Sequence, residues 1–111
     1  MVYKIKLRID GKLEEFKRTE PPYLKEITRA LILQQHQVAM YQDDDGPTDK
    51  QFLKNSEEVA DFAVNFWNNQ FSRQDVLNGA DGKAMTEVSK AIDDALGTPN
   101  DDEVDEGKAK K

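Results

Sequence analysis

His36 is the sole imidazole in this 111-residue sequence, and no cysteine accompanies it. Thiolate nucleophiles, disulfides and cysteine-ligated metals are therefore ruled out, and an imidazole base would need both an oriented partner and a pocket. His36 stands among Gln34, Gln35 and Gln37 in a helical stretch, the setting of a surface or boundary histidine. There is no glycine-rich phosphate loop and no serine in a nucleophile-elbow setting. Asp43-Asp44-Asp45-Gly46 is the nearest approach to a calcium loop. With Gly46 at the sixth position of such a loop, however, Tyr41 falls at the first and Phe52 at the twelfth, so both end carboxylates are missing. The residues predict no enzyme, no cofactor and no metal centre.

Binding is the better-supplied chemistry. Lys4, Lys6, Arg8, Lys12, Lys17 and Arg18 could form a basic ribbon, the kind of element that can touch nucleic acid. Glu14 and Glu15 interrupt it and the whole chain carries a formal charge of -6, which argues against phosphate backbones and for an acidic protein target. Phe62, Phe66, Trp67 and Phe71 lie within ten residues of one another, with Leu77 following. Such a cluster is core material first, but any part left open suits an amphipathic helix that lays apolar anchors into a groove. These five residues are the candidate partner-binding set.

The elements that would carry these groups can be read from periodicity and punctuation. Tyr3, Ile5, Leu7 and Ile9 alternate with Lys4, Lys6 and Arg8, the pattern of a strand with one buried face. Asp10-Gly11 signals a two-residue hairpin turn, and a second strand should return through Leu13 to Lys17. Leu13 and Phe16 fall on opposite parities, so a bulge or a register uncertain by one is expected, with Lys4 and Lys6 able to face Glu14 and Glu15. Pro21-Pro22 ends the ribbon.

Leu24, Ile27, Leu31 and Val38, helped by Ala30 and Leu33, predict a helix to about Met40 or Tyr41 with that face covered. Thr48 with Gln51 has capping-box spacing, opening a helix whose apolar stripe is Phe52, Leu53, Val59, Phe62, Ala63, Phe66 and Trp67, with a possible reset at Ser56. Ser72 starts a short helix that Asn78-Gly79 should end, and Asp81 caps another carrying Met85, Val88, Ala91, Ile92, Ala95 and Leu96 up to Gly97.

The expected architecture is α+β: an N-terminal β-hairpin (1–19) followed by a small bundle of three to four α-helices (22–97), together one globular domain over 1–99. Residues 100–111, acidic at 101–103 and 105–106, read as a disordered charged tail. Residues 1–29 hold eight Lys/Arg against five Asp/Glu, and the remainder eight against seventeen, so a basic head meets an acidic body. No apolar run approaches the roughly 20 residues that cross a bilayer, and the start lacks an apolar signal core, so an intracellular location is expected.

Val59 to Gly79, and within it Phe66-Trp67-Asn68-Asn69-Gln70-Phe71-Ser72 with Asp75-Val76 and Gly79, resembles the phage tail assembly chaperones of siphophages infecting Gram-positive hosts. Members typically open with a strand like Tyr3-Lys4-Ile5-Lys6-Leu7 and a turn like Asp10-Gly11, and later carry an aromatic-Gly-Asn-Gln-Phe-Thr run. Here Asn68 stands where glycine is common and Ser72 where threonine is. The resemblance implies a protein of the host cytoplasm that binds the tape-measure protein and keeps it soluble while tail-tube subunits polymerise around it, and that is absent from the mature virion. It also implies that a programmed frameshift makes a longer product whose extension recruits the tail-tube protein. Phe66, Trp67 and Phe71, with Leu77, would supply or support the client surface. The alternative is a small phage regulatory module that binds nucleic acid or a host factor through the basic hairpin, and self-association is left open.

Overall fold

The computed structural model describes residues 2–97. The tail expected at 100–111 lies outside them. Two antiparallel strands, β1 (Tyr3–Ile9) and β2 (Lys12–Arg18), precede four helices: α1 (Leu24–Met40), α2 (Asp49–Phe66), α3 (Arg73–Gly79) and α4 (Gly82–Leu96). This is the α+β order expected, a ribbon followed by a small helical bundle.

Asp10 and Gly11 both take positive φ, 52° and 81°, as a two-residue hairpin turn matched to strand twist requires. Pairing runs without a break from Ile9 opposite Lys12 to Tyr3 opposite Arg18. The expected bulge is absent because the parity conflict is resolved another way. Phe16 points inward opposite Ile5, whereas Leu13 turns outward opposite Arg8 and stays 53% exposed. Lys6 faces Glu15 as anticipated, but Lys4 faces Lys17, and Glu14 lies on the other face opposite Leu7.

The inner face of β1 supplies Tyr3, Ile5 and Leu7 to the core, where they meet Phe62, Phe66 and Trp67 of α2 and its cap, Val76 of α3 and Val88 of α4. The caps fall where the sequence put them. Thr48 and Gln51 exchange hydrogen bonds (2.8 and 3.2 Å), Asp81 accepts from the Ala84 N–H at 2.9 Å, and Gly97 closes α4 at φ 76°. Ser56 does not restart a helix: α2 is continuous, and the Ser56 hydroxyl donates to the Phe52 carbonyl one turn back at 3.1 Å.

The face of α1 that enters the core overlaps the expected one only at Ala30 and Leu33, with Ile27 half-buried. Glu26, Ala30, Leu33 and Met40 are buried, whereas Leu24, Leu31 and Val38 are 75%, 52% and 57% exposed. The bundle covers the face that carries Glu26 and Ala30 with Leu33 and Met40, and leaves a second apolar stripe outside.

Gly79 is the last residue of α3, and its φ is not positive. Its need for glycine is proximity: a Cβ there would stand 2.3 Å from the Arg8 carbonyl oxygen and 3.0 Å from the Arg8 nitrogen, both backbone atoms of β1. Helix and strand can touch only because this position carries no side chain. Gly79→Ala is therefore expected to cost at least about 1–3 kcal/mol in urea unfolding. Gly82→Ala, at a position with nothing within 4 Å, should be neutral or slightly stabilising in the same assay.

Candidate functional site

Arg18, the last residue of β2, is only 2% exposed, although it read as part of a basic surface ribbon. A buried guanidinium must have its donors answered, and here the partners come from three stretches of chain. Nη1 donates to the Phe66 carbonyl at 2.8 Å, Nε to the Glu20 carbonyl at 3.0 Å, and Nη2 to the Pro21 carbonyl and to Glu26 Oε1. The guanidinium carbon also lies 4.5 Å from the centre of the Phe66 ring, a cation–π placement. Because Phe66 ends α2, the charge sits at the negative end of that helix dipole.

Glu26 completes the pair from the first turn of α1 and is 1% exposed. Its Oε1 accepts the Tyr23 N–H at 2.7 Å, and Lys25 Nζ stands 3.7 Å from its Oε2, which has no hydrogen-bond partner among the described residues. Burial pushes the carboxyl up, but the Tyr23 N–H, the Arg18 hydrogen bond and the charges of Arg18 and Lys25 together outweigh it, so its pKa lies below the usual glutamate value.

Beside this pair lies the aromatic run. Phe66 packs edge-on against Tyr3 (centroids 4.8 Å apart) and against Trp67 (4.9 Å), and stacks on Phe62 (5.7 Å). Trp67 Nε1 donates to the Tyr3 carbonyl at 3.2 Å, and the Tyr3 hydroxyl donates to Asp94 Oδ2 at 2.8 Å. The turn after Trp67 is a Schellman motif: Asn69 N–H reaches the Val64 carbonyl (2.8 Å) and Asn68 N–H the Asn65 carbonyl (3.1 Å). Asn68 and Asn69 both hold φ 60°, so asparagine stands at Asn68 in the left-handed conformation that glycine adopts most easily. Gln70 Nε2 then bridges the Trp67 and Lys17 carbonyls at 2.9 Å each, Phe71 meets Phe16 (4.9 Å), and Ser72 and Asp75 form a capping box. Each of these residues has a task inside the fold.

Of the candidate partner-binding residues, Phe62, Phe66, Trp67 and Phe71 are between 0% and 6% exposed, brought together in the core. They reach a partner only by shaping what lies above them. Leu77, 39% exposed, is the one member at the surface. It lines a cleft of about 280 Å³ with Val59, Ala60, Val76, Ala80 and Met85, between α2 and the α3–α4 corner. Phe52 and Leu53, 47% and 69% exposed, stand one turn earlier on α2.

The basic ribbon is narrower than its sequence suggested. Register places Lys4, Lys6, Arg8 and Lys17 on the outer face with Glu15 and Leu13, sends Lys12 to the other face and buries Arg18. His36 Nδ1 lies 2.7 Å from Glu58 Oε2, tying α1 to α2. The adjoining depression is lined by Arg29, Ile32, Leu33, Asp61 and Phe62, none of which carries a hydroxyl or thiol. Asp43 to Gly46 close a simple turn, with Gly46 N–H on the Asp43 carbonyl at 3.0 Å. No helix among the described residues is long and apolar enough to cross a membrane.

A hairpin locked onto a capped helical bundle, with its aromatic run consumed by the core and an apolar cleft left outside, defines a small α+β domain. A family model described as phage tail chaperone protein matches residues 1–111, and the chain belongs to that family, whose role is assembly. No curated protein and no solved structure matches the chain.

Two outcomes follow from the buried pair. Arg18→Ala should cost about 3–5 kcal/mol in chemical unfolding, because it leaves Glu26 charged and buried without its cation. The stability Glu26 contributes has the sign of a lowered carboxyl: fully present above the unfolded glutamate value of about 4.3, and lost as pH falls from there through the lower folded value. Urea unfolding from pH 7 down to pH 3 should show that loss, and Glu26→Gln should flatten this part of the profile.

Proposed function

We propose that this phage tail chaperone binds the tape-measure protein in the host cytoplasm, keeps it soluble while the tail tube polymerises around it, and leaves before the virion is complete. It carries out no catalysis of its own. A longer, frameshifted product of the same gene would bring in the tail-tube protein. Family membership supports the reading, and the observation that carries it is the uncharged character of the cleft. Six of its eight lining residues are Val59, Ala60, Val76, Leu77, Ala80 and Met85, with Asn55 and Ser56 as the others, so an apolar helix can be sheltered there. The -6 charge of the whole chain then keeps a complex with a greasy client dispersed. In this reading Phe62, Phe66, Trp67 and Phe71 support the client surface from beneath, and Leu77 touches the client.

Co-expression with a tape-measure fragment tests it. Leu77→Lys should leave stability within about 0.5 kcal/mol of the parent and return the fragment to the insoluble fraction it occupies alone. An undiminished soluble yield would remove the cleft from the account. Trp67→Ala is uninformative here, since it should destabilise the domain by about 3–5 kcal/mol. Salt-sensitive DNA binding lost on neutralising Lys4, Lys6 and Arg8, together with no client effect, would instead favour the regulatory alternative.

A further inference from the structure

We propose that the outer face of α1 is the seam of an antiparallel homodimer. Leu24, Leu31 and Val38 recur every seven residues, and Ile27, Gln34 and Tyr41 recur every seven between them. Their spacings alternate three and four, which are the a and d positions of a heptad. Leu24, Leu31, Val38 and Tyr41 are 52–75% exposed, Ile27 is half-buried and Gln34 exposed. Glu26, Ala30, Leu33 and Met40, which pack into the bundle, lie on a neighbouring side, roughly 100° further round the helix. The fold therefore spends one face of α1 on its own core and leaves, among the described residues, a coiled-coil stripe largely uncovered.

Three observations select a second copy of this chain as the occupant. First, residues 30–42 contain no Asp, Glu, Lys or Arg, in a chain that is 34% charged with a net charge of -6. Two identical acidic proteins repel wherever charged faces meet, and α1 is where they can approach without that cost. Second, the stripe is complementary to itself about a two-fold axis between Leu31 and Gln34. Antiparallel pairing sets Leu24 against Tyr41, Ile27 against Val38 and Leu31 against Gln34, so each a position meets a d position of the other copy. The flanking Thr28 and Gln35 are uncharged, and Gln34 near the axis can fix the register by hydrogen bonding. Third, this orientation brings the acidic Asp43-Asp44-Asp45 turn of one copy to the first turn of α1 in the other, where Lys25 is exposed. A parallel pair would stack acidic turn on acidic turn. One helix of 17 residues is about 26 Å long, and a single helix pair buries less than the roughly 1,600 Å² of a standard interface. The dimer is thus a concentration-dependent one.

Sedimentation velocity on the full chain from about 1 µM to 1 mM tests the proposal. The expected result is a two-fold rise in sedimenting mass across that range, abolished in Leu31→Glu/Val38→Glu with an unchanged far-UV circular dichroism spectrum. A parent chain that stays monomeric at the highest concentration overturns it, and that is also the result if the stripe serves only a client helix. A variant that associates like the parent overturns it as well. Because the chain has no cysteine, register can be read separately and without disturbing the seam's centre. Leu24→Cys/Tyr41→Cys should oxidise to a covalent dimer and Leu24→Cys alone should not. Equal cross-linking of the single variant would contradict the antiparallel arrangement.

Discussion

The Arg18 guanidinium is the fixed point of this fold. A cation buried to 2% exposure is tolerable only where its donors and its charge are met together. The Phe66, Glu20 and Pro21 carbonyls and the Glu26 carboxylate meet them from three separate segments. The end of the hairpin, the entry to α1 and the exit of α2 must therefore converge on one point. With those three ends pinned, Tyr3 is carried against Phe66, the indole of Trp67 reaches the Tyr3 carbonyl, and the inner face of β1 lies on the bundle. Gly79 allows the other side of the bundle to close, letting α3 approach the backbone of β1 at Arg8.

This arrangement changes what the family-like run of residues 66–72 signifies. Its residue types are set by a left-handed helix cap, a bridging glutamine, a ring contact with Phe16 and a capping box, all of them internal. A segment so occupied identifies the architecture more than the contact surface. What can touch other molecules is what the core leaves over: the cleft around Leu77, the outer stripe of α1 and the outer face of the hairpin. Burying the larger aromatics while leaving Leu24, Leu31, Val38 and Leu77 in water makes a stable domain with apolar surfaces in reserve, the physical need of a protein that shelters others.

Local signals were legible in the sequence and long-range ones were not. Alternation in Tyr3 to Ile9, the Asp10-Gly11 turn and the caps at Thr48, Ser72, Asp81 and Gly97 are decided within a few residues, and all form as expected. The Arg18–Glu26 pair could not be read, because each residue alone looks like surface and their shared burial depends on the end of α2, 48 residues beyond Arg18. For α1, periodicity reveals an apolar stripe but not which face will be covered. Leu24, Ile27, Leu31 and Val38 form the stronger stripe in sequence, yet the small side chain of Ala30 and the Glu26 carboxylate that answers Arg18 draw the neighbouring face inward. Gly79 was legible as a glycine at a helix end and not as a point of close approach, since its neighbour Arg8 lies at the far end of the chain.

The central claim is that the aromatic run holds the domain together and that clients are met outside it. Trp67, the one tryptophan in the sequence, is fully buried and reports on this directly. Its emission should be blue-shifted and resistant to acrylamide in the free chain, and should stay so when a tryptophan-free tape-measure fragment binds. Ready quenching in the free chain, or a clear change in emission or accessibility on binding, would mean that the cluster opens to the client, and would contradict the account.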